Sequence, residues 1–531
     1  MSPTVTAFTT TIPGAKAVLD DRVRGYSIYR LDPPLAPGAT IPMSFVVRTH
    51  HEGFANKSDD NTLVRNGTFI NNFAMFPHLG YSPATELQDA HKRRKYGLPP
   101  VERMAKIDDP KARMDNGISR ESDWMNLDTT VSTAPDQIAI APGYLQGEWT
   151  ANGRRYFHYK TTTPILGFWA YLSARYAVKR GDWKGVPIEI YYDPAHAYNV
   201  DRMIYAVQKS LDYYTTNFSP YQHKQVRIIE FPRYSQFAQS FPNTIPFSES
   251  IGFIADLRDK ESIDYVFYVT AHEVAHQWWG HQVVGADVQG GTMLVETLAQ
   301  YSALMVMEKE YGPNKMRRFL KYELDRYLAG RGGELVAEMP LMLVEDQPYI
   351  HYRKGSLAMY ELRDQIGEEK VNAALRQFLH DHAFEGPPYA TTRDLIADFR
   401  AVTPADKQSV ITDLFETITL YDNKTDEATW TKRSDGKYVV RVTVESKKFR
   451  SDAGGKESPI PVNDWIDIGV LGDSKTKGNE PVLAIEKHRI TALKSTFELV
   501  VPTLPARAGI DPLNKLIDRN PEDNTKAVTK G

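Results

Sequence analysis

Two histidines and a glutamate stand close together in the segment AHEVAHQWWG at residues 271–280, which contains the pattern H-E-x-x-H. Residues 263–279 contain neither proline nor glycine, so a continuous helix is predicted here. On such a helix His272 and His276 lie four residues apart on one face, and both imidazoles can bind one cation. Glu273 lies beside them and can take a proton from a water molecule. The motif therefore predicts a metal-dependent hydrolytic site.

A hydrolytic zinc site keeps three protein ligands and leaves one position open, so a third His, Asp or Glu is needed. The chain has no cysteine, and the third ligand must therefore be an oxygen or nitrogen donor. Glu296 is the candidate, because it lies in a second helical stretch, MLVETLAQY at residues 293–301, after a Gly-Gly break where the chain can turn back. We expect one Zn²⁺ per chain, held by His272, His276 and Glu296.

The composition indicates a globular protein with several domains. The chain has 531 residues, which is enough for about three or four domains of ordinary size. Lys and Arg number 64 against 67 Asp and Glu, so the formal charge of −3 gives no overall positive field that would hold nucleic acid or an anionic membrane. No apolar stretch reaches the ~18–20 residues of a membrane helix, and the N-terminus lacks the pattern of a secretion signal. We expect a soluble chain without a nucleic-acid partner.

Short apolar runs bounded by proline, glycine and asparagine fill the first part of the chain, for example at residues 26–31 and 43–49. They predict an N-terminal β-rich domain over residues 1–193. Within it, residues 97–116 are polar, contain proline and show no clean period. A long surface excursion is expected there.

The spacing of apolar residues changes after residue 193. Helical spacing begins with Val200, Ile204, Val207 and Leu211, and helix-compatible stretches dominate to about residue 415. This pattern predicts a mostly helical domain over residues 194–419. Strict alternation then returns at residues 440–444 and 466–470. A C-terminal β-sandwich is predicted over residues 420–531.

These residues resemble a known family. The segment HEVAHQWWG with the downstream Glu296 is similar to the gluzincin aminopeptidases, the aminopeptidase N-like peptidase family M1. Nineteen residues separate His276 from Glu296, one more than this family usually has, and VET replaces its usual Asn-Glu-Gly around the third ligand. The resemblance implies a multidomain α+β fold whose catalytic domain is thermolysin-like and mostly helical.

Two further signatures of the family follow in the expected order. The segment YRKG at residues 352–355 is similar to the family's Tyr-Glu-Lys-Gly, which implies that the Tyr352 hydroxyl faces the developing oxyanion. The match to its Gly-x-Met-Glu-Asn motif is PFSES at residues 246–250, which implies that Glu249 ion-pairs with the free N-terminal amine of a peptide. The neighbouring Lys354 could meet a substrate carboxylate or be solvated on a helix face.

The resemblance implies a zinc-dependent aminopeptidase that removes N-terminal residues from peptides by attack of a metal-activated water. In this interpretation Glu273 and Tyr352 are catalytic, and Glu249 binds substrates that have a free N-terminus. Two alternatives stay open: a thermolysin-like endopeptidase, and a catalytically silent peptide-binding module of a transporter. The sequence does not give the oligomeric state.

The order of these segments extends the resemblance over most of the chain. It is closest to the peptidase module of bacterial proteins in which such a module is fused to an ABC-type permease. The resemblance therefore implies a covalent link to a permease and a tether to a membrane. A cytoplasmic enzyme is the alternative.

Overall fold

The structure is a computed structural model that describes residues 4–23, 25–50, 63–81, 86–118, 122–259, 261–476 and 478–531. Strands dominate both ends of this part of the chain, and helices dominate its middle. The predicted multidomain α+β class is confirmed, with a β-rich N-terminal region, a helical middle and a β-rich C-terminal region. The domain boundaries at residues 193 and 419 stay predictions.

Short strands in small sheets form the N-terminal region. The strands are β1 Thr4–Thr11, β2 Ala15–Asp21, β3 Tyr26–Leu31, β4 Ser44–His50, β5 Thr68–Asn71, β6 Trp124–Met125, β7 Asp128–Thr133, β8 Ile138–Ile140, β9 Tyr144–Ala151, β10 Arg154–Lys160, β11 Ile165–Leu166 and β12 Ala170–Ala174. Two short helices are α1 Asn72–Met75 and α2 Ala90–Lys95. Phe69 of β5 and Leu172 of β12 pack against Phe231, which joins this region to the middle of the chain.

The segment 97–116 does not form the predicted surface excursion throughout. Ile107 is buried and packs with Val284, and the Gln289 N–H donates to the Ala105 carbonyl at 2.8 Å. The segment lacks a clean sequence period because part of its backbone bonds to a distant loop, and the only regular element in these described residues is a single turn of 3-10 helix at Ala112–Met114. The segment 97–116 thereby packs against the loop that follows the H-E-x-x-H motif and stabilises it.

A four-stranded mixed sheet lies under the helices of the middle region. Its strands, in spatial order, are β13 Ala177–Trp183, β14 Val186–Tyr192, β15 Val226–Phe231 and β16 Thr244–Ser248. β13 is antiparallel to β14, and the other neighbours are parallel. The sheet includes strands from both sides of residue 193. The helices are α3 Val200–Asn217, α4 Tyr265–Ala275, α5 Leu298–Tyr311, α6 Pro313–Gly332, α7 Gly355–Ile366, α8 Glu368–His382, α9 Thr392–Val402 and α10 Gln408–Ile411.

Helix burial follows the pattern of apolar residues. The stripe predicted on α3 is buried in the main core. α4 is buried from Val266 to Ala275, because it is apolar all round and packs between α3 and α5. In the described ranges no helix combines the length and the apolar character that crossing a membrane requires.

Two packed sheets form the C-terminal region, as predicted. The strands are β17 Ile418–Lys432, β18 Tyr438–Ser451, β19 Glu457–Ile460, β20 Asp464–Leu471, β21 Val482–Ile490, β22 Lys494–Val501, β23 Arg507–Ile510, β24 Thr525–Ala527 and β25 Thr529–Lys530. One sheet centres on β17 and β18, and the other on β20 and β23. Alternate residues of β18 and β20 are buried in one core, for example Val442 and Ile468.

Candidate metal centre and active site

Helix α4 carries the H-E-x-x-H motif at its C-terminal end. Asp264 caps the start of the helix, since its carboxylate accepts the Phe267 N–H at 2.9 Å. His276 keeps a helical backbone at the C-terminal cap position. His272 and His276 therefore lie on one face of the last turn, as predicted, although the helix ends before Gly280.

The three predicted ligands converge on one point. The Nε2 atoms of His272 and His276 lie 3.0 Å apart, and Glu296 Oε2 lies 3.4 Å from each of them. Ligand atoms that share one tetrahedral zinc ion at about 2.0–2.2 Å lie roughly 3.4 Å from one another. The spacing therefore fits a single ion.

The same atoms are incompletely satisfied by the protein alone. Within the described ranges Glu296 Oε2 is buried without a hydrogen-bond partner. His276 Nδ1 donates to the Trp279 carbonyl at 2.9 Å, which leaves its Nε2 free to bind a metal. Two imidazole nitrogens that face each other need a proton or a cation between them, and a buried carboxylate oxygen needs positive charge. Two imidazoles and a carboxylate are a donor set that suits Zn²⁺.

The pKa shifts of the three predicted ligands also favour positive charge at this point. Burial lowers the pKa of His272. Burial also acts to lower the pKa of His276, but the Glu296 carboxylate outweighs it and brings this pKa to about 9. Burial acts to raise the pKa of Glu296, and the two imidazoles instead hold it well below its ordinary value. The cluster thus favours an ionised carboxylate with positive charge beside it.

Glu296 and Tyr352 both lie on wide π-helical turns. We call these the Glu296 turn, Met293–Thr297, and the Tyr352 turn, Tyr349–Lys354. Each immediately precedes a regular helix, α5 and α7 respectively. Such turns are frequent at functional sites, because one extra residue in the turn redirects a side chain out of the helical register.

The Glu296 turn and the Tyr352 turn touch each other. Thr297 Oγ1 donates to the His351 carbonyl at 2.6 Å. Gly355 permits this approach, because a Cβ at that position would lie 2.5 Å from Thr297 Oγ1. The glycine of the YRKG segment is therefore required by packing between the two turns.

The Tyr352 side chain lies beside the metal cluster. Its ring centroid is 6.1 Å from that of His272. Burial raises the pKa of the Tyr352 hydroxyl well above its ordinary value, and the Glu296 carboxylate raises it further. The hydroxyl therefore stays protonated and can donate a hydrogen bond.

Glu273 is buried between the two histidines of the motif. Burial raises the pKa of its carboxyl group to about 7, although His276 acts to lower it and Glu296 to raise it. A carboxyl group with a pKa near neutrality can both accept and release a proton at physiological pH.

The structure does not bring Glu249 into this group. Glu249 follows β16, and its carboxylate lies 3.9 Å from His196 Nδ1 and 3.5 Å from Arg233 Nε. His196 also hydrogen-bonds Glu230, so a second cluster of possible ligand atoms forms there. Its acids are already compensated by His196 and Arg233, and we assign no metal to it. The amine-binding role of Glu249 stays a prediction.

Comparison with known families agrees with this geometry. A family model described as "Peptidase family M1 domain" matches residues 203–417. This range contains the converging ligands and also Glu273, Tyr352 and Glu249. Residues 203–417 are therefore similar to a peptidase family M1 domain.

Named relatives of this chain are aminopeptidases. Endoplasmic reticulum aminopeptidase 2 of Homo sapiens is 26% identical over 209 residues, which are 38% of this chain and 22% of that protein. Aminopeptidase N of Lactococcus lactis subsp. cremoris is 25% identical over 296 residues, 52% of this chain and 33% of that protein. A crystal structure of Legionella pneumophila aminopeptidase A in complex with aspartic acid is 18% identical, covers 77% of this chain and 45% of that chain, and has a TM-score of 0.49. The chain thus spans 22% to 33% of the length of the two curated relatives.

Some residues that support the H-E-x-x-H motif could not be singled out from the sequence. Gln277 donates to Ser240 Oγ at 2.7 Å, and His281 Nε2 donates to the Ser240 carbonyl at 3.0 Å. These bonds tie the end of the motif to residues 237–241, which run antiparallel to β16. The available signal was the presence of polar Gln277 and His281 in a stretch that is otherwise mostly buried and apolar.

Loss of one imidazole should abolish stoichiometric metal binding by the protein. His272→Ala removes one of the three predicted ligands, so zinc content should fall from about one ion per chain to a small fraction of that. The control is His380→Ala, since the His380 side chain is 81% exposed on α8. Elemental mass spectrometry of both purified variants measures the difference. Equal zinc contents would contradict the site.

Gly355→Ala should separate the Glu296 turn from the Tyr352 turn. The added Cβ would meet Thr297 Oγ1 at 2.5 Å, and overpacking of this kind costs about 1–3 kcal/mol of unfolding free energy. Gly332→Ala is the matched control, because a Cβ there meets no atom within 4 Å. Denaturant unfolding of the two variants tests the contact. An unchanged midpoint in Gly355→Ala would show that the turns are not tightly packed.

Proposed function

We propose that this chain is a zinc-dependent aminopeptidase that removes N-terminal residues from peptides. The observation that carries the proposal is the convergence of His272, His276 and Glu296 within a peptidase family M1 domain. Glu273 and Tyr352 lie beside these ligands with the protonation behaviour that hydrolysis needs. The aminopeptidase names of the relatives support action at a peptide terminus.

The two imidazoles and the Glu296 carboxylate would hold the ion. When bound, Zn²⁺ acts as a Lewis acid that polarises a carbonyl oxygen and lowers the pKa of a water molecule. A hydrogen bond to the protein orients one of these ligands towards the ion. The Trp279 carbonyl accepts the Nδ1 proton of His276 and so directs the Nε2 atom inward. The Thr297 contact holds the backbone of the Glu296 turn.

Glu273 moves the protons of the reaction. Its carboxylate takes a proton from the water that attacks the peptide carbonyl, and it later delivers that proton to the nitrogen of the leaving amine. The environment of Glu273 suits both steps, because burial brings its pKa to about 7. An ordinary exposed glutamate, with a pKa near ~4.3, would be a weaker base.

Tyr352 stabilises the negative charge that develops on the carbonyl oxygen. Its hydroxyl stays protonated, because burial and the nearby Glu296 both raise its pKa. A neutral donor that is already in place loses little energy by reorganising when the charge forms. This assigns to Tyr352 a role in turnover and only a small role in substrate binding.

Residues 237–241 offer a backbone edge for the peptide. Gln239 and Phe241 turn their N–H groups towards β16, so the alternate residue Ala238 presents its N–H and C=O on the opposite side. The Ser240 carbonyl on that outer side accepts from His281, close to the motif. An extended peptide can add to an edge of this kind through main-chain hydrogen bonds.

A thermolysin-like endopeptidase is the second candidate. It is favoured by one observation: the Glu249 carboxylate is engaged by His196 and Arg233 and makes no described contact with the metal cluster. A backbone edge alone would not distinguish a peptide terminus from an internal segment. The third candidate, a silent peptide-binding module, is disfavoured because Glu273 and Tyr352 are both present beside the ligands.

Removal of the general base should sharply lower turnover without loss of metal. Glu273→Gln keeps the size of the side chain but cannot accept the proton, so kcat should fall by about 10²–10⁴. Tyr352→Phe should lower kcat by about 10²–10³ and change KM little. Steady-state kinetics with an aminoacyl chromogenic substrate, together with zinc analysis, measures both. Full activity of zinc-loaded Glu273→Gln would contradict the assignment of the base.

The choice between exopeptidase and endopeptidase depends on the substrate terminus. An aminopeptidase should cleave a free peptide at least ~10² times faster than its N-acetylated form, because the acetyl group removes a charge that a terminus-binding site recognises. Glu249→Gln should reduce this preference if the carboxylate binds the amine. Mass spectrometry of the products gives the cleavage position. Equal rates on both peptides would favour the endopeptidase.

The partner, location and substrate that the family resemblance implies are part of the same proposal. A covalent link to an ABC-type permease and attachment to a membrane stay predictions, and a cytoplasmic location is the alternative. Peptides with a free N-terminus are the proposed substrates. Size-exclusion chromatography with light scattering would give the oligomeric state.

A further inference from the structure

The Tyr352 turn sends two side chains in opposite directions. Residues two apart in a helical turn do not share a face, so Tyr352 and Lys354 leave the turn on different sides. Tyr352 lies next to His272 of the metal cluster. Lys354 lies against α6, where its Nζ is 5.7 Å from the centroid of the Tyr327 ring. The position of the tyrosine therefore depends on what holds the turn on the lysine side.

Lys354 is neither solvated nor open to a substrate carboxylate, which were the two expectations from the sequence. Its side chain is 0% exposed, and Nζ lies 3.9 Å from Glu338 Oε1. In the described part of the chain Nζ has no hydrogen-bond partner. Burial lowers the pKa of this ammonium group to about 8, and Glu338 opposes the fall. Burying a charge in this way is costly, so the contact with Glu338 is what keeps the side chain in place.

Glu338 is itself fixed from several sides. Its carboxylate accepts hydrogen bonds from the Tyr327 hydroxyl and from Arg331 Nε, the latter at 2.7 Å. Arg331 also donates to Ser451 Oγ at 2.8 Å, at the end of β18. Glu338 is therefore a rigid anchor that joins α6 to the C-terminal sandwich. A side chain that is paired with it shares that rigidity.

We propose that Lys354 is a positioning residue that fastens the Tyr352 turn to Glu338 and thereby holds the Tyr352 hydroxyl at the reacting carbonyl. This rests on the proposed function, because Tyr352 has that role only if a carbonyl is attacked beside the metal. Lys354 touches neither substrate nor metal and acts through the turn. Its removal lets the turn shift and leaves the metal ligands where they are.

A double-mutant cycle tests the proposal on the zinc-loaded full chain. Lys354→Met should lower kcat about 10- to 100-fold, since a displacement near 1 Å can cost ~10² in rate. KM and zinc content should stay within twofold. In the Tyr352→Phe background the same substitution should change kcat less than twofold, because the group through which it acts is gone. An equal loss in both backgrounds, or no loss in the wild type, would overturn the proposal.

Two further variants separate positioning from general destabilisation. Lys448→Met is the matched control, because Lys448 is another buried lysine, paired with Asp413 at 2.6 Å and Asp464 at 2.8 Å in the C-terminal region. It should lower thermal stability and leave kcat of the folded enzyme within twofold. Glu338→Gln removes the anchor's charge but keeps an acceptor, and it should lower kcat in the same direction as Lys354→Met. A kcat unchanged in Glu338→Gln would count against the anchor.

Crystal structures can still test the role of Lys354 if the protein proves not to be an aminopeptidase. A zinc-loaded wild type that hydrolyses no aminoacyl or peptide substrate would remove the aminopeptidase assignment. Crystal structures of the zinc-loaded wild type and Lys354→Met would then decide about Lys354. The Tyr352 hydroxyl should be displaced by about 1 Å or more with the three metal ligands unmoved. A tyrosine in the same place in both structures would overturn the positioning role.

Discussion

A buried carboxylate oxygen lies 3.4 Å from two imidazole nitrogens that face each other, and the rest of the site depends on this arrangement. Buried away from water, these atoms do not satisfy one another, so they stay together only with positive charge between them. A bound cation supplies that charge, and its binding free energy then also stabilises the fold. Helix α4 makes this arrangement possible, because its burial on all sides fixes His272 and His276 before any ion arrives.

Glu296 and Tyr352 lie on two turns that are hydrogen-bonded to each other. Thr297 follows Glu296 directly, and its hydroxyl bonds the carbonyl of His351, which directly precedes Tyr352. This hydrogen bond and the packing around it hold the two turns side by side. The absence of a Cβ at Gly355 lets the backbones come this close. The contact places the oxyanion donor beside the ligand, while the direction of the Tyr352 side chain also depends on the contacts of its own turn with α6.

The sequence predicted those features that depend on local spacing. Two histidines four residues apart needed only a helix, and Gly290 has the positive φ of 88° that the predicted break requires. The π-helical turns could not be predicted, because a turn with one extra residue leaves no period of its own. The helix also ends before Gly280, since the Gln282 and Val283 N–H groups both bond the Trp278 carbonyl in a tight turn.

The surroundings of Glu249 and of residues 97–116 could not be predicted, because their partners are distant in the sequence. The sequence locates Glu249 after a strand but does not indicate which neighbours meet it there, and His196 and Arg233 come from two separate connections. Residues 97–116 bond a distant loop, so their own pattern could not indicate burial. Tyr352 was found through the resemblance, because a tyrosine among 29 carries no local mark of its function.

The buried charges on the Tyr352 turn favour one backbone register over another. Arg353 donates to the fully buried Glu323 at 3.0 Å, and Lys354 pairs with Glu338. Buried ion pairs contribute little to stability by themselves. A π-helical turn, however, competes with an α-helical turn in which each side chain is rotated by about 100°. That rotation would take both cations away from their partners and leave the fully buried Glu323 carboxylate without Arg353, which is far more costly than loss of a surface contact. The charges therefore penalise the α-helical register and keep Tyr352 directed at the metal cluster.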